Sequence, residues 1–341
     1  MRDCIVVLVS ESPEIGAGHF SRQFTLAREL QLKGLKICFV GQLSKSKQAI
    51  VSKAGFGLSP LVRHDSITQH AAALKNLGRE NSIKAVVIDN YAILKKRKSF
   101  SDTFENYPEV HFQDGPGALP GGEILVNSGI AELTDLDHRK YRKNFLGYGA
   151  VILGQGIIAL KRARDLERGR LEPTSRGFVN FGMSDQRTIA ISVLKWLEEL
   201  GTEFALSFEM AVREEPDAHP VMVASHENSR GGSLGYFQAL RYGDYAIGAA
   251  GLSSFERAFL AIPSINLALT PNQYGIANLL ESSGAAMALF PGLGEFSFPI
   301  FESKLREMSD PAVRAEMRAA CIDLIRPTVV TEMAGEISEL R

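Results

Sequence analysis

The sequence has almost no charge bias: 38 Lys and Arg stand against 39 Asp and Glu, for a formal net charge of -1. A chain so balanced has no overall attraction for nucleic acid or for an anionic membrane surface. Cysteine is scarce. Cys4, Cys38 and Cys321 leave one thiol over in any disulfide scheme, and Cys4 and Cys38 sit in or beside apolar runs, which predicts buried reduced thiols and a cytoplasmic setting. No apolar run approaches the roughly 18 residues that a membrane-spanning helix needs. The short run Ile5 to Val9 ends in Ser10-Glu11-Ser12, without the small-residue pattern of a signal cleavage site, so it reads as a strand. There is no Gly-x-Ser-x-Gly elbow to support a serine hydrolase. His219 and His226 lie too far apart for zinc-ligand spacing, and no cysteine is near them. Two basic runs, Lys95 to Lys98 and Arg139 to Lys143, show no aromatic stacking pattern in a chain without net positive charge, and read as solvated surface.

What is present is the composition of a globular protein, 45% apolar and 23% charged over 341 residues, which is long for one hydrophobic core and predicts two domains. Ile5 to Val9 is a buried strand, Phe20 to Leu30 carries helical spacing closed by Gly34, and Ile37 to Gly41 is the next strand. Further strands are expected at 85–88, 178–181, 204–208, 221–224, 245–248, 264–269 and 285–289, with helices near 68–77 and 188–200. Gln113 to Gly122 reads as loop. The charged, proline-bearing stretch Lys161 to Arg176 reads as an interdomain linker. The alternation restarts at Gly177, which predicts an α/β protein of two Rossmann-like domains facing across a cleft: residues 1–165, residues 177–310, and C-terminal helices over 311–341 that pack back across the junction.

Two strand-to-helix loops carry the candidate chemistry. Gly16-Ala17-Gly18-His19-Phe20-Ser21 follows the first strand, where glycines admit an anion and a helix N-terminus attracts it. It is not a dinucleotide fingerprint: Ser21 holds the third glycine position, and the second strand ends Val40-Gly41-Gln42 without an acidic residue for a ribose. His19 falls in the first helical turn with Arg22 one turn on. The helix dipole favours a neutral imidazole there, able to accept a proton; the alternative is a capping or packing histidine. In the second half, Gly248 to Glu256 follows a strand and opens a helix. Gly251, Leu252, Ser253 and Ser254 are placed to meet a diphosphate and Glu256 a ribose, a simple cap being the alternative. Asn272 and Gln273 stand at another strand's carboxyl end.

Taken in order, these segments resemble the UDP-sugar hydrolase family of nonulosonic (pseudaminic acid type) sugar synthesis, which is related to spore-coat polysaccharide proteins. The match rests on Gly16, Gly18, His19 and Arg22 in a Gly-x-Gly-His-x-x-Arg segment, Asp89 and Tyr91 in Asp-x-Tyr, and the turn Phe181-Gly182-Met183-Ser184-Asp185. It continues through Gly248 to Arg257 and ends on Asn272-Gln273. Met183 departs from the family's second turn glycine, Gln113-Asp114-Gly115 replaces paired aspartates, and Leu153 to Ile157 lacks a tyrosine. The resemblance implies the glycosyltransferase-B fold, UDP held by the second domain through Gly182, Met183, Ser184 and the 251–256 loop, and hydrolysis of a UDP-linked amido deoxy sugar with inversion. His19 is the base of that reaction, and neither metal nor cofactor is implied. A glycosyltransferase using the same donor, or a non-catalytic nucleotide-sugar-binding protein, are the alternatives.

Overall fold

The apolar run that starts at Cys4 becomes a central parallel strand, and its two faces go to different cores. Ile5, Val7 and Val9 pack with Leu26, Ala27 and Leu30, while Cys4, Val6 and Leu8 pack with Ile67, Ala73 and Leu74. A strand covered on both faces needs apolar residues at every position, which is why this one reads as continuous rather than alternating. The structure is a computed structural model describing residues 3–10, 18–96, 106–114, 121–130, 140–167, 176–181, 187–200, 207–212, 234–293 and 296–341. The chain divides into two units, Met1–Gly154 with Pro327–Arg341, and Gln155–Arg326.

The first unit holds β1 (Asp3–Val9), β2 (Lys36–Gly41), β3 (Gly57–Pro60), β4 (Ser82–Asp89), β5 (Glu109–Phe112), β6 (Gly122–Asn127) and β7 (Tyr141–Leu146). They form one sheet in the order β3-β2-β1-β4-β5-β6-β7, parallel throughout. Helices Gly18–Leu32, Lys45–Lys53, Ile67–Glu80 and Tyr91–Lys96 connect the first strands. The first of these stops where the sequence places its cap: Gly34 has φ +83°, a conformation glycine adopts without strain.

The second unit repeats the plan with β8 (Arg176–Asn180), β9 (Ser207–Val212), β10 (Leu234–Gly235), β11 (Tyr245–Ala249), β12 (Ser264–Leu267) and β13 (Ala286–Leu289). Their order is β10-β9-β8-β11-β12-β13, again parallel. Counted within its own unit, each sheet contains the run 3-2-1-4-5-6 of a doubly wound nucleotide-binding fold. The order reverses between β1 and β4 in the first unit and between β8 and β11 in the second, so the carboxyl ends of those strands are where each sheet can take a ligand. Among the described residues no helix is long and apolar enough to cross a membrane.

Three readings of the sequence change. Lys161 to Glu167 is not linker but the end of the helix Gln155–Glu167. Arg164 there is buried and donates to the carbonyls of Leu240, Arg241 and Gly243, which builds the segment into the second unit. The basic run near 140 contains edge strand β7: Arg142 and Lys143 face solvent and pair with Glu123 and Glu336, while Tyr141 is buried. Cations on an edge strand discourage pairing with another sheet and hide the strand from a hydropathy reading. Of the C-terminal helices, Phe298–Ser309 and Pro311–Ala320 belong to the second unit, whereas Val329–Ser338 belongs to the first. That last helix packs on Gly18–Leu32 through Val330, Met333, Ala334 and Ile337. The strand expected at 221–224, along with His219 and His226, lies outside the described residues.

All three cysteines are buried thiols outside any disulfide. Burial, with Cys4 nearby, pushes the Cys38 thiol up to about 12, and burial also raises Cys4. Since the thiolate is the reactive form, the native protein is expected to release no colour from a disulfide reagent at pH 8. Denaturation should expose three thiols per chain; a fast-reacting native thiol would contradict this packing.

Candidate functional site

In the first unit the switch point is occupied by a charged cluster centred on Asp89, the last residue of β4, which is fully buried. Arg22 grips it with two parallel bonds, Nε to Oδ2 at 2.7 Å and Nη2 to Oδ1 at 2.6 Å. Gln23 Nε2 adds a third donor at 2.9 Å, and His19 Nδ1 lies 2.6 Å from Oδ1. The helix spacing explains the convergence. His19, Arg22 and Gln23 are three and four residues apart in the helix Gly18–Leu32 and so share one face.

A second carboxylate completes the cluster. Asp114, just beyond β5, takes Arg22 Nη1 at 2.5 Å, the Tyr91 hydroxyl at 2.7 Å and the Ser128 hydroxyl at 2.7 Å. The guanidinium also lies 5.0 Å from the Phe112 ring centroid, and the His19 ring meets the edge of Tyr91 at 5.0 Å. Burial alone would raise both carboxyl pKa values, but Arg22 and His19 outweigh it. Asp89 is held far below the usual carboxylate range and Asp114 below it. Both are therefore anions, and Arg22 in turn is raised well above its ordinary value by the two of them against the effect of burial. An ionised Asp89 can only accept, so Nδ1 is the donor of that bond and, in the neutral ring, Nε2 carries the lone pair. No described residue hydrogen-bonds Nε2.

Of the sequence candidates, His19, Arg22, Asp89 and Tyr91 thus meet in one hydrogen-bonded group, with Gly18 at the helix start. Asn90, between two of them, turns the chain. Its side chain accepts from the Ala92 and Ile93 amides and donates to the His64 carbonyl. Sequence reasoning missed Gln23 and Ser128 and noted Asp114 only as a departure. One signal was available: Gly129, where an added Cβ would lie 2.1 Å from the Asp114 carbonyl oxygen, marks a close approach of the two strand ends.

In the second unit the corresponding loop runs from Gly248 at the end of β11 into the helix Leu252–Phe259, with Gly251 as the N-cap residue. An added Cβ at Gly248 would fall 2.2 Å from the Asn180 carbonyl oxygen of β8, so only glycine fits there. Gly251, Leu252, Ser253 and Glu256 are partly exposed. Ser254 is a correction: it is fully buried and gives its hydroxyl to the Gly251 carbonyl at 2.6 Å, which turns it into the loop rather than toward a ligand. Glu256 Oε2 accepts from the Tyr236 hydroxyl at 2.5 Å. Gln273 accepts from the Leu269 amide and its Nε2 lies 3.8 Å from where a Cβ on Gly251 would be. Asn272 accepts from the Thr270 hydroxyl. Gly16, Gly182, Met183 and Ser184 lie outside the described residues. Among those described, no three His, Cys, Asp or Glu side chains converge as a metal-ligand set.

The first-unit cluster generates a stability prediction. Arg22→Ala leaves two buried anions without their cation, and breaking a buried pair from one side costs about 3–5 kcal/mol. The sign with pH follows from the depressed carboxyl values. Wild-type stability from Asp89 and Asp114 is present above the unfolded value of about 3.9 and is lost as pH falls through the folded ones. In Arg22→Ala the effect of burial on the two carboxyls is no longer opposed by the guanidinium, so they should take up protons in the folded state above the unfolded value, and the deficit should be largest at pH 7 and shrink toward pH 4. Denaturant titration of both proteins across that range checks it; a deficit independent of pH would place the loss in packing alone.

No family model matches the chain, and no curated protein matches it in sequence. Solved structures do match over its whole length. Acinetobacter baumannii MurG aligns with a TM-score of 0.68 at 11% identity, covering 99% of this chain and 100% of that one. Arabidopsis thaliana UGT89C1, solved with UDP, aligns at 0.61 and 12% identity over 99% and 100%. The spinosyn rhamnosyltransferase SpnG, solved with thymidine diphosphate, aligns at 0.60 and 15% identity over 97% and 96%. The resemblance to the UDP-sugar hydrolases finds no support among these matches. What they establish, with the two parallel sheets, is that this chain has the two-domain glycosyltransferase-B fold.

Proposed function

We propose that the protein transfers a glycosyl group from a nucleoside-diphosphate sugar to an acceptor hydroxyl, with His19 as the general base. The observation that carries this is the locked imidazole: Nδ1 is fixed on buried Asp89 at 2.6 Å, which leaves Nε2 as the ring nitrogen able to take a proton. The structural neighbours favour transfer, since the solved SpnG complexes hold thymidine diphosphate in one case and spinosyn aglycone in another.

In the proposed step His19 Nε2 takes the proton of the acceptor hydroxyl as its oxygen bonds to the anomeric carbon from the face opposite the leaving group. The bond from that carbon to the diphosphate oxygen breaks, and its electron pair departs with the nucleoside diphosphate. The outcome is inversion. Two carboxylates, Asp89 and Asp114, face one guanidinium, Arg22, so the cluster carries one negative charge in excess. A proton arriving on His19 balances that charge inside a buried site, where such stabilisation is strongest. Arg22 and Gln23 hold Asp89 and are positioning residues. The nucleotide is assigned to the loop 248–256, with the Glu256 carboxylate, steadied by Tyr236, accepting ribose hydroxyls.

Hydrolysis of the same donor is the second reading, water replacing the acceptor. It is favoured by one observation, that the matched residues His19, Arg22, Asp89 and Tyr91 converge in a single cluster.

The decisive measurement is nucleoside-diphosphate release from a panel of UDP- and dTDP-sugars, with and without candidate acceptors. Release that requires an acceptor supports transfer, release without one supports hydrolysis, and tight binding with no turnover would leave a binding protein. On the active donor, His19→Asn should cut turnover by about 10²-fold or more while donor affinity changes little. Wild-type turnover in that variant would remove His19 from catalysis. Glu256→Ala should weaken nucleotide binding by about 1.5–3 kcal/mol, the scale of a hydrogen bond to a charged group. Unchanged affinity by calorimetry would end the ribose assignment.

A further inference from the structure

Arg257 follows Glu256 in the chain but points the other way. It is one of the largest wholly buried side chains in the protein, and no carboxylate among the described residues pairs with it. Glu256, the nearest acid in sequence, gives its carboxylate to Tyr236 instead. The guanidinium is held by neutral acceptors only. Nη2 donates to the Ala249 carbonyl at 2.9 Å and to Asn266 Oδ1 at 2.6 Å, and Nη1 reaches Ser253 Oγ at 3.5 Å. Among the described residues Nε has no partner, nor does the Asn266 side-chain nitrogen.

The other buried arginines of this unit are different in kind. Arg164 and Arg314 sit on the last carbonyls of helices, where a cation is favoured by the helix dipole. Arg257 lies at the carboxyl ends of β11 and β12, beneath the loop that begins at Gly248, and a Cβ on Gly248 would come within 3.1 Å of its Nη1. Tyr236 and Glu256 favour the cation through space, but burial outweighs them, so the charge still gains from an anion brought close to it. Ser253, the bridge between this cation and the loop surface, is partly exposed. Its oxygen already accepts from Arg257, so its own hydrogen is left to donate, and no described residue takes it.

We propose that Arg257 is the counter-charge of the donor's diphosphate, acting as a positioning residue that makes Ser253 a hydrogen-bond donor to that anion. This rests on the assignment of the nucleotide to the loop 248–256 and adds to it the element that recognises the phosphates as distinct from the nucleoside.

The test compares UDP, uridine and inorganic pyrophosphate by calorimetry on the full-length protein, its Arg257→Met and Ser253→Ala variants, and the double variant. Arg257→Met is expected to weaken UDP and pyrophosphate by 10-fold or more while uridine affinity moves less than 3-fold. Ser253→Ala should give a smaller loss for UDP, and the double variant should bind UDP no worse than Arg257→Met alone, because the serine works through the arginine. Should Arg257→Met fail to fold, Arg257→Lys and Ser253→Ala carry the same comparison, with the lysine retaining part of the preference for UDP over uridine. Equal losses for UDP and uridine, or an unchanged ratio between them, would overturn the role of Arg257 while leaving the nucleotide assignment standing. A wild-type protein that binds neither UDP nor dTDP would remove the nucleotide assignment itself, and the proposal with it.

Discussion

The first unit is organised around a carboxylate that water never reaches. Asp89 is fully buried, and an anion in that position is tolerable only if donors surround it. Two nitrogens of Arg22, one of Gln23 and one of His19 do so, filling the roughly four acceptor positions a carboxylate offers. Each donor is then fixed in turn. Arg22 is held flat between the two aspartates and beside Phe112, which leaves the His19 ring a single orientation. The orientation of His19 therefore comes from the residues beneath it, a helix face and a strand end tied together by these hydrogen bonds.

The two units share a strand order and treat charge in opposite ways. In the first, the switch point gathers an excess of negative charge around one arginine. In the second, the equivalent position has Arg257, which among the described residues hydrogen-bonds to no acid and is supported by a carbonyl, an amide and a hydroxyl. Local electrostatics of opposite sign on the same scaffold fit the two tasks proposed for them, taking up a proton in the first unit and meeting an anion in the second. Fold alone does not assign such tasks; the side chains at the strand ends do.

Much of this was legible from sequence where patterns are local. Continuous apolar runs marked β1, β2, β4 and β11, because strands buried on both faces have no polar positions to disguise them. Gly34 marked a helix end, and the loop before His19 marked a switch point. The short strands β5 and β7 were not legible, since Glu109 and His111 pair with each other inside the protein and Arg142 and Lys143 sit on an edge. Tertiary pairing, not hydropathy, makes those segments strands. The same limit hid part of the candidate site. Asp114 meets Arg22 across 92 positions of sequence, a separation at which no spacing rule operates, and Asp89, 67 positions from Arg22, was reached only through the ordered resemblance. Ser254 was misread because a hydroxyl in a first helical turn can face either outward or back onto the cap carbonyl, and sequence does not distinguish the two.

The helix Val329–Ser338 has a consequence for how the chain is made. It closes the core beside β1 with Val330, Met333, Ala334 and Ile337, yet the whole second unit is translated between it and the rest of the first. On the ribosome, where domains ordinarily fold in the order they emerge, the second unit can finish while the first still waits with an uncovered apolar face. The unit that begins the protein is thus the one completed last, and for that interval its exposed face is the part of the nascent chain most in need of a chaperone.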